Sequence, residues 1–223
     1  MRILHLSDLH AHLGWYSWLR HEAAAFDLVC LTGDLVGRWR DPELGRQIDE
    51  VVARLTDLSA PLAVCSGNHD QLGSGAGECD WLRQLQGPAV WVDGARFVFR
   101  KKIFCCIPWK AVLPTAAEEE IWLCHCPPMG SRTAIARRER VDFGDLNLAT
   151  LCRAGNGPAL ALSGHVHDPW QGADRVGRTL VLNPGHDAGA AWPAHHVIDL
   201  EQGSVEHHRA GRPTRRFTLH TGN

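Results

Sequence analysis

Apolar residues fall in short blocks along this chain, and their spacing switches between two periods. Residues 2–7 read as a strand, and Trp15 to Phe26 carry a helical pattern. Residues 27–32 (DLVCLT) form a second apolar strand run. Asp41-Pro42 predicts a helix start, with Asp as N-cap and Pro at the first helical position. Leu44, Ile48, Val51, Val52, Leu55 and Leu58 then recur at helical spacing. Pro61 to Ser66 returns to a strand. The alternation of strand and helix predicts a parallel sheet with right-handed crossovers.

The second half is richer in strands, predicted near 88–92, 96–99, 103–107, 120–124, 159–163, 178–182, 195–200 and 203–208. Gln202-Gly203 supplies the last turn. A helix is predicted from Asp145 to Ala154, with Gly155 at its C′ position. Pro127 to Gly144 is the longest loop candidate, and loops of that length usually carry function. No repeat or low-complexity tract interrupts the 223 residues, which are expected to form a single domain, 1–223. The pattern fits an α/β fold of two packed mixed β-sheets flanked by helices.

Composition narrows the partners. A net charge of −2 shows no global basic excess for nucleic acid or a membrane surface. The basic runs Arg137-Arg138-Glu139-Arg140 and Arg209 to Arg216 read first as solvated faces. Met1 to Ser7 runs straight into a strand without a leader-like apolar region, and no stretch approaches the roughly 20 apolar residues of a membrane span. The expected address is therefore cytoplasmic. The eight cysteines form no pair of C-x-x-C knuckles and are expected as free thiols. Cys124 and Cys126 flank His125, and strand alternation turns both away from it.

The chemistry lies in five motifs: Asp8-Leu9-His10, Gly33-Asp34, Gly67-Asn68-His69-Asp70, Cys124-His125 and Gly164-His165-Val166-His167. Each follows a strand run, where ligands gather in open α/β sheets. Together they offer enough oxygen and nitrogen donors for two adjacent metal ions, with one imidazole, His69, left over to act as an acid. Carboxylate with imidazole suits manganese, iron, nickel or zinc and fits calcium poorly. Gly33, Gly67 and Gly164 each precede a donor and are expected to let the backbone turn sharply. Other histidines read as ordinary, although His12 and His186 follow segments close to the motifs. Trp15, Trp18, Trp39, Trp109 and Trp170 lie near motifs, where an indole can pack in the core or stack on a nucleobase. Arg132, Arg137, Arg138 and Arg140 are candidates to grip a second phosphate.

These motifs resemble those of the calcineurin-like metallophosphoesterase superfamily, and the likeness spans Asp8 to His167. The resemblance implies that Asp8, His10 and His167 hold one divalent transition-metal ion, manganese for preference. It implies that Asn68, His125 and His165 hold the other, and that Asp34 bridges both. The implied reaction is metal-hydroxide attack on phosphorus, with His69 as general acid and a small phosphomonoester or phosphodiester as substrate, nucleotides included. The segment Gly33 to Arg38 lacks the second Asp and the Arg-Gly pair of the Ser/Thr protein phosphatases. His69 stands where lipid A-precursor pyrophosphatases carry Arg. The opening MRILHLSDLH resembles double-strand-break repair nucleases, but the chain is too short for their capping domain. Cyclic-nucleotide phosphodiesterases and small stand-alone bacterial phosphoesterases are nearest in size and motif style. The alternatives are a DNA or RNA nuclease and a non-catalytic scaffold similar to the retromer-type subunit. His69 separates the scaffold from the enzymes, because scaffold relatives lose it.

Overall fold

A computed structural model describes residues 1–37, 41–56, 58–72, 79–87, 89–117 and 119–219. Arg38, Trp39, Pro88 and His220 lie outside the described residues. Strands β1 (Arg2–Leu6), β2 (Leu28–Thr32), β3 (Leu62–Cys65) and β4 (Val90–Trp91) pair side by side in parallel. Helix α1 (Leu13–Glu22) connects β1 to β2, and α2 (Leu44–Leu55) connects β2 to β3. The second sheet comprises β5 (Arg96–Phe99), β6 (Lys102–Ile107), β7 (Ile121–Cys124), β8 (Leu160–Leu162), β9 (Ala173–Val176) and β10 (Thr179–Leu182), in the order β5-β6-β7-β8-β10-β9. Helix α3 (Leu146–Arg153) lies between β7 and β8 in the chain. The chain then returns to the first sheet as β11 (His195–Asp199), β12 (Ser204–His208) and β13 (Arg215–Thr218), antiparallel on the free edge of β1.

Both sheets are mixed, and their central strands are buried on both faces, so β2, β3, β7, β8 and β10 read as continuous hydrophobic runs. Side chains alternate across each strand. Ile3, Leu28, Cys30, Ala63 and Cys65 of the first sheet meet Phe104, Cys106, Ile121, Leu123, Leu160, Leu162, Leu180 and Leu182 of the second. Leu4, Leu6, Val29, Leu31, Leu62 and Val64 point the other way, onto α1 and α2. Trp122, Cys124, Ala161 and Val181 pack under α3. All eight cysteines are free thiols, and those between the sheets act as small apolar fillers.

Three local expectations change. Asp41-Pro42 does not open α2. The Asp41 carboxylate accepts from Glu43 N at 2.9 Å, closing a turn ahead of a helix that begins at Leu44. At α1 the cap is His12, whose Nδ1 accepts from Trp15 N at 3.3 Å. Its ring also stacks on Trp15 at 4.5 Å, so His12 is a helix cap. Strands β9 and β13 have no counterpart in the apolar pattern, because each is an outer strand in which at least half of the residues are polar. Such edges are kept polar to discourage pairing with another chain.

A ladder of imidazoles runs through the β1–β11–β12 region. His5 stacks on His196 at 5.4 Å, and His196 stacks on His207 at 4.5 Å. Thr32 Oγ1 donates to Leu6 O, so it accepts from His5 Nε2 at 2.9 Å. His5 Nδ1 then accepts from His196 Nδ1 at 3.3 Å, leaving His196 Nε2 buried and without a partner. This relay needs a neutral His5, and a second proton on His196 would sit on a buried Nε2 with no acceptor. Burial accordingly lowers His5 to about 3, His195 and His207 to about 4, and His196 well below the ordinary value. The unfolded chain binds these protons near pH 6.5 and the folded chain does not. Stability is therefore complete above about pH 6.5 and falls as pH drops towards 4, by about 1.4 kcal/mol per pH unit for each such histidine. Guanidinium unfolding of chelator-treated protein should give a midpoint that drops steeply between pH 7 and pH 5.5. A flat midpoint across that window would count against the neutral ladder.

Candidate metal centre

Asp8, Asp34, Asn68, His125 and His165 stand just past the C-terminal ends of β1, β2, β3, β7 and β8. The centre therefore sits where both sheets release their parallel strands. The β1–β2 pairing continues beyond the strands: Asp8 N donates to Gly33 O at 3.0 Å, and His10 N donates to Asp34 O at 2.9 Å. These bonds hold the backbone in an uncommon conformation. Asp8, His10, Asp34 and His165 have φ of 57°, 43°, 53° and 69°. A non-glycine residue there costs on the order of 1 kcal/mol, and such strain clusters at functional sites.

The strain aims side chains inward. Asp8, His10, Asp34 and His167 each offer a donor atom, all within 4.8 Å of one another. His10 Nε2 lies 3.0 Å from His167 Nε2, and His167 Nε2 lies 3.4 Å from Asp8 Oδ1. Beside them, His125 Nε2 is 3.4 Å from Asp34 Oδ1 and 3.1 Å from Asn68 Oδ1. His125 Nδ1 donates to Thr32 O at 2.6 Å, which fixes the ring so that Nε2 faces Asp34 and Asn68. His165 joins this second group by ring packing on His125 at 5.1 Å, while its backbone N donates to Asp8 Oδ2 at 3.0 Å. His69 stands apart from the donors: its Nε2 is 3.9 Å from Asp34 Oδ2, and its ring meets His10 edge-on at 4.7 Å.

Two features make this convergence possible. Gly33 needs its positive φ of 82°, as expected. Gly67 and Gly164 do not turn the chain; they make room. A Cβ on Gly67 would overlap Asp34 Oδ1, and one on Gly164 would overlap Ser7 Oγ and Asp8 Oδ2. The second feature is Asp70. Its buried carboxylate accepts from the backbone N–H groups of Asp34 at 2.8 Å, Leu35 at 2.8 Å, Val36 at 3.3 Å and Gly67 at 2.7 Å. Burial and the nearby Asp34 push Asp70 up to about 7, while the donors favour the carboxylate.

The electrostatics favour cations. Burial raises the Asp8 carboxyl, but His167, His125 and His10 outweigh it and hold it well below the usual range. Asp34 is lowered likewise, chiefly by His125. Burial lowers His125, but the Asp34 carboxylate overrides this and raises it to about 10. Burial keeps His10 and His165 near 4, available as neutral donors. Asp8 Oδ1 is buried and accepts no hydrogen bond. An orphaned carboxylate oxygen among imidazole Nε2 atoms fits a transition-metal ion, whose charge would satisfy it.

The centre opens into a cleft of about 610 Å³. Its lining includes Asn68, His69, His165, His167 and His186 of the centre together with Arg138, Phe143, Arg209 and Arg212. Of the four arginines proposed from the long loop, Arg138 alone reaches this cleft. Arg137 donates to Pro169 O and Trp170 O, and Arg140 sits over the Trp170 ring at 5.7 Å. Trp15 is buried with its Nε1 on Ala190 O, and Trp109 packs against the His125 and His165 rings at 5.6 Å each. Neither indole is a free platform for a base. His186 does reach the centre: Nδ1 donates to Asp8 O at 2.7 Å, and its ring lies 5.1 Å from His10 and 4.6 Å from His167.

The chain belongs to the calcineurin-like phosphoesterase family, whose model matches residues 1–169. It is a metallophosphoesterase in fold. Solved structures with this fold include TT1561 of Thermus thermophilus, with a TM-score of 0.59 at 16% identity over 98% of this chain and 99% of that one. A novel archaeal phosphodiesterase aligns with a TM-score of 0.52 at 18% identity, covering 98% and 99% of the two chains. Yfce, a phosphoesterase from E. coli, gives a TM-score of 0.52 at 16% identity, covering 99% and 100%. No curated protein sequence matches the chain. Among the described residues no helix is long and apolar enough to cross a membrane.

Proposed function

We propose that this chain hydrolyses small phosphomonoesters or phosphodiesters with two divalent transition-metal ions, manganese for preference. Asp8, His10 and His167 hold one ion, Asn68, His125 and His165 hold the other, and Asp34 serves both. The observation that carries this reading is Asp34. Its buried carboxylate belongs to the Asp8–His10–His167 donor group and also lies 3.4 Å from His125 Nε2. When bound, such ions polarise the phosphoryl oxygens and lower the pKa of a water that can attack in line.

The chain's own residues supply the rest. Thr32 O and Asp8 O orient the rings of His125 and His186 through their Nδ1 protons. His69 Nδ1 is buried without a partner, while Nε2 faces the centre, 3.9 Å from Asp34 Oδ2. As imidazolium the ring gives its Nε2 proton to the leaving oxygen and returns to neutral imidazole. The backbone N of His69 donates to Asp34 Oδ1 at 2.8 Å, so acid and metal carboxylate keep a fixed relation.

The test is a substrate survey with elemental analysis. Protein purified without chelators should carry about two transition-metal equivalents. Mn²⁺ should stimulate hydrolysis of bis-p-nitrophenyl phosphate and of a nucleotide ester. Faster cleavage of duplex DNA than of every small ester would move the protein to the nuclease reading. Inactivity with both metals bound would favour a scaffold.

A further inference from the structure

Arg209 and Arg212 come from a run that reads, in sequence, as a solvated basic face. In the fold both line the cleft that holds Asp34, Asn68, His69 and His167. They sit on one tight turn, closed by Arg212 N donating to Arg209 O at 3.1 Å, with Gly211 at φ 69°. Arg209 is only 7% exposed, a rare state for arginine unless its charge is matched. Its partner Asp168 reaches one end only, Oδ1 to Nη1 at 3.4 Å, and Arg209 Nε is buried with no hydrogen bond. The side chains of Arg212 and Arg138 have no hydrogen-bond or ion-pair partner among the described residues and also line the cleft. Glu139 and Asp187 are exposed carboxylates on the same lining.

A half-paired buried guanidinium with a second guanidinium on the same turn is an arrangement completed by an anion with several oxygens. The cleft, about 610 Å³, is large enough for a substrate of nucleotide size, with room beyond a single phosphate on the metal donors. We propose that the Arg209–Arg212 turn, with Arg138 on the same cleft lining, is a subsite for a second phosphoryl group of the substrate. It selects esters carrying another phosphate beyond the scissile one. This rests on the phosphoesterase reading, since the first phosphate is the one at the metal donors. The second phosphate can belong to a small bisphosphorylated ester or to the next residue of an oligonucleotide.

The test compares two chromogenic esters on the Mn²⁺-loaded protein: thymidine 5′-(p-nitrophenyl phosphate) with and without a 3′-phosphate. In parallel, calorimetry compares binding of thymidine 3′,5′-bisphosphate and thymidine 5′-phosphate. The bisphosphate forms should show about tenfold lower KM and Kd, roughly the value of one charge-assisted contact. In Arg209→Gln and Arg212→Gln both ratios should move towards one. Arg212 is exposed, so its variant keeps the test open if Arg209→Gln misfolds. Ratios near one in the wild type, or ratios unchanged in a folded Arg212→Gln and Arg209→Gln, would overturn the subsite. Tenfold discrimination in binding without hydrolysis of either ester would leave the subsite standing and remove the phosphoesterase reading. A thymidylate oligomer cleaved as efficiently as the bisphosphorylated ester would identify the oligonucleotide as the source; weaker cleavage would identify the small ester.

Discussion

Asp34→Asn is expected to abolish turnover, lowering kcat/KM by about 10³-fold or more, or ~4 kcal/mol of transition-state stabilisation. The substitution is nearly isosteric. The amide oxygen can still accept from His69 N, a bond that measures 2.8 Å, so the local loop keeps its anchor. What disappears is the one negative charge serving both proposed ions. Elemental analysis should find both metals depleted, not one. A second readout needs no metal. Asp34 is what raises His125 to about 10, so in chelator-treated Asp34→Asn the His125 ring should titrate several pH units lower by NMR. A variant that retained two metals and its turnover would remove Asp34 from the bridging role.

His69→Ala is expected to separate binding from chemistry. The ring offers no donor to the Asp8–His10–Asp34–His167 group, so both metals should remain. Loss of acid assistance lowers kcat by about 10²–10⁴-fold. The loss should be smaller for p-nitrophenyl esters than for alkyl esters, because a good leaving group needs little protonation. Equal losses across leaving groups would recast His69 as a residue that positions the phosphate.

The donors are legible in the sequence because the motifs are short and each ends a strand. Asp8 with His10 needs only local backbone to reach a common point, and His165 with His167 needs only local backbone to reach two adjacent ones. The apolar runs of β1, β2, β3 and β7 are equally plain, since both faces of each strand are buried. Features that depend on distant partners are not legible. Arg209 looks like any residue of a basic run until β12 carries it to Asp168. The pairing of His196 with His207 emerges only once the β11–β12 register is known. Asp70 follows His69 with no hint that it serves the Gly33–Asp34 loop. Polar outer strands such as β13, with Phe217 as its one apolar anchor, carry too little alternation to register.

Asp70 also divides the cleft into unequal banks. One carboxylate knits the loops after β2 and β3 through four backbone N–H groups, so Asp34, Asn68 and His69 travel as one body. Substituting Asp70 would loosen all three together, whereas a side-chain change at His69 leaves these main-chain bonds in place. Ala136, Arg138, Glu139, Phe143, Asp187, Ala188, Arg209 and Arg212 line the same cleft with no hydrogen bond to the Asp70 carboxylate. New selectivity, whether bred in the laboratory or acquired in descent, therefore has its raw material on that side. On the proposed reading, Asp70 steadies part of the reacting centre, and the lining it does not bond is free to vary the choice of substrate.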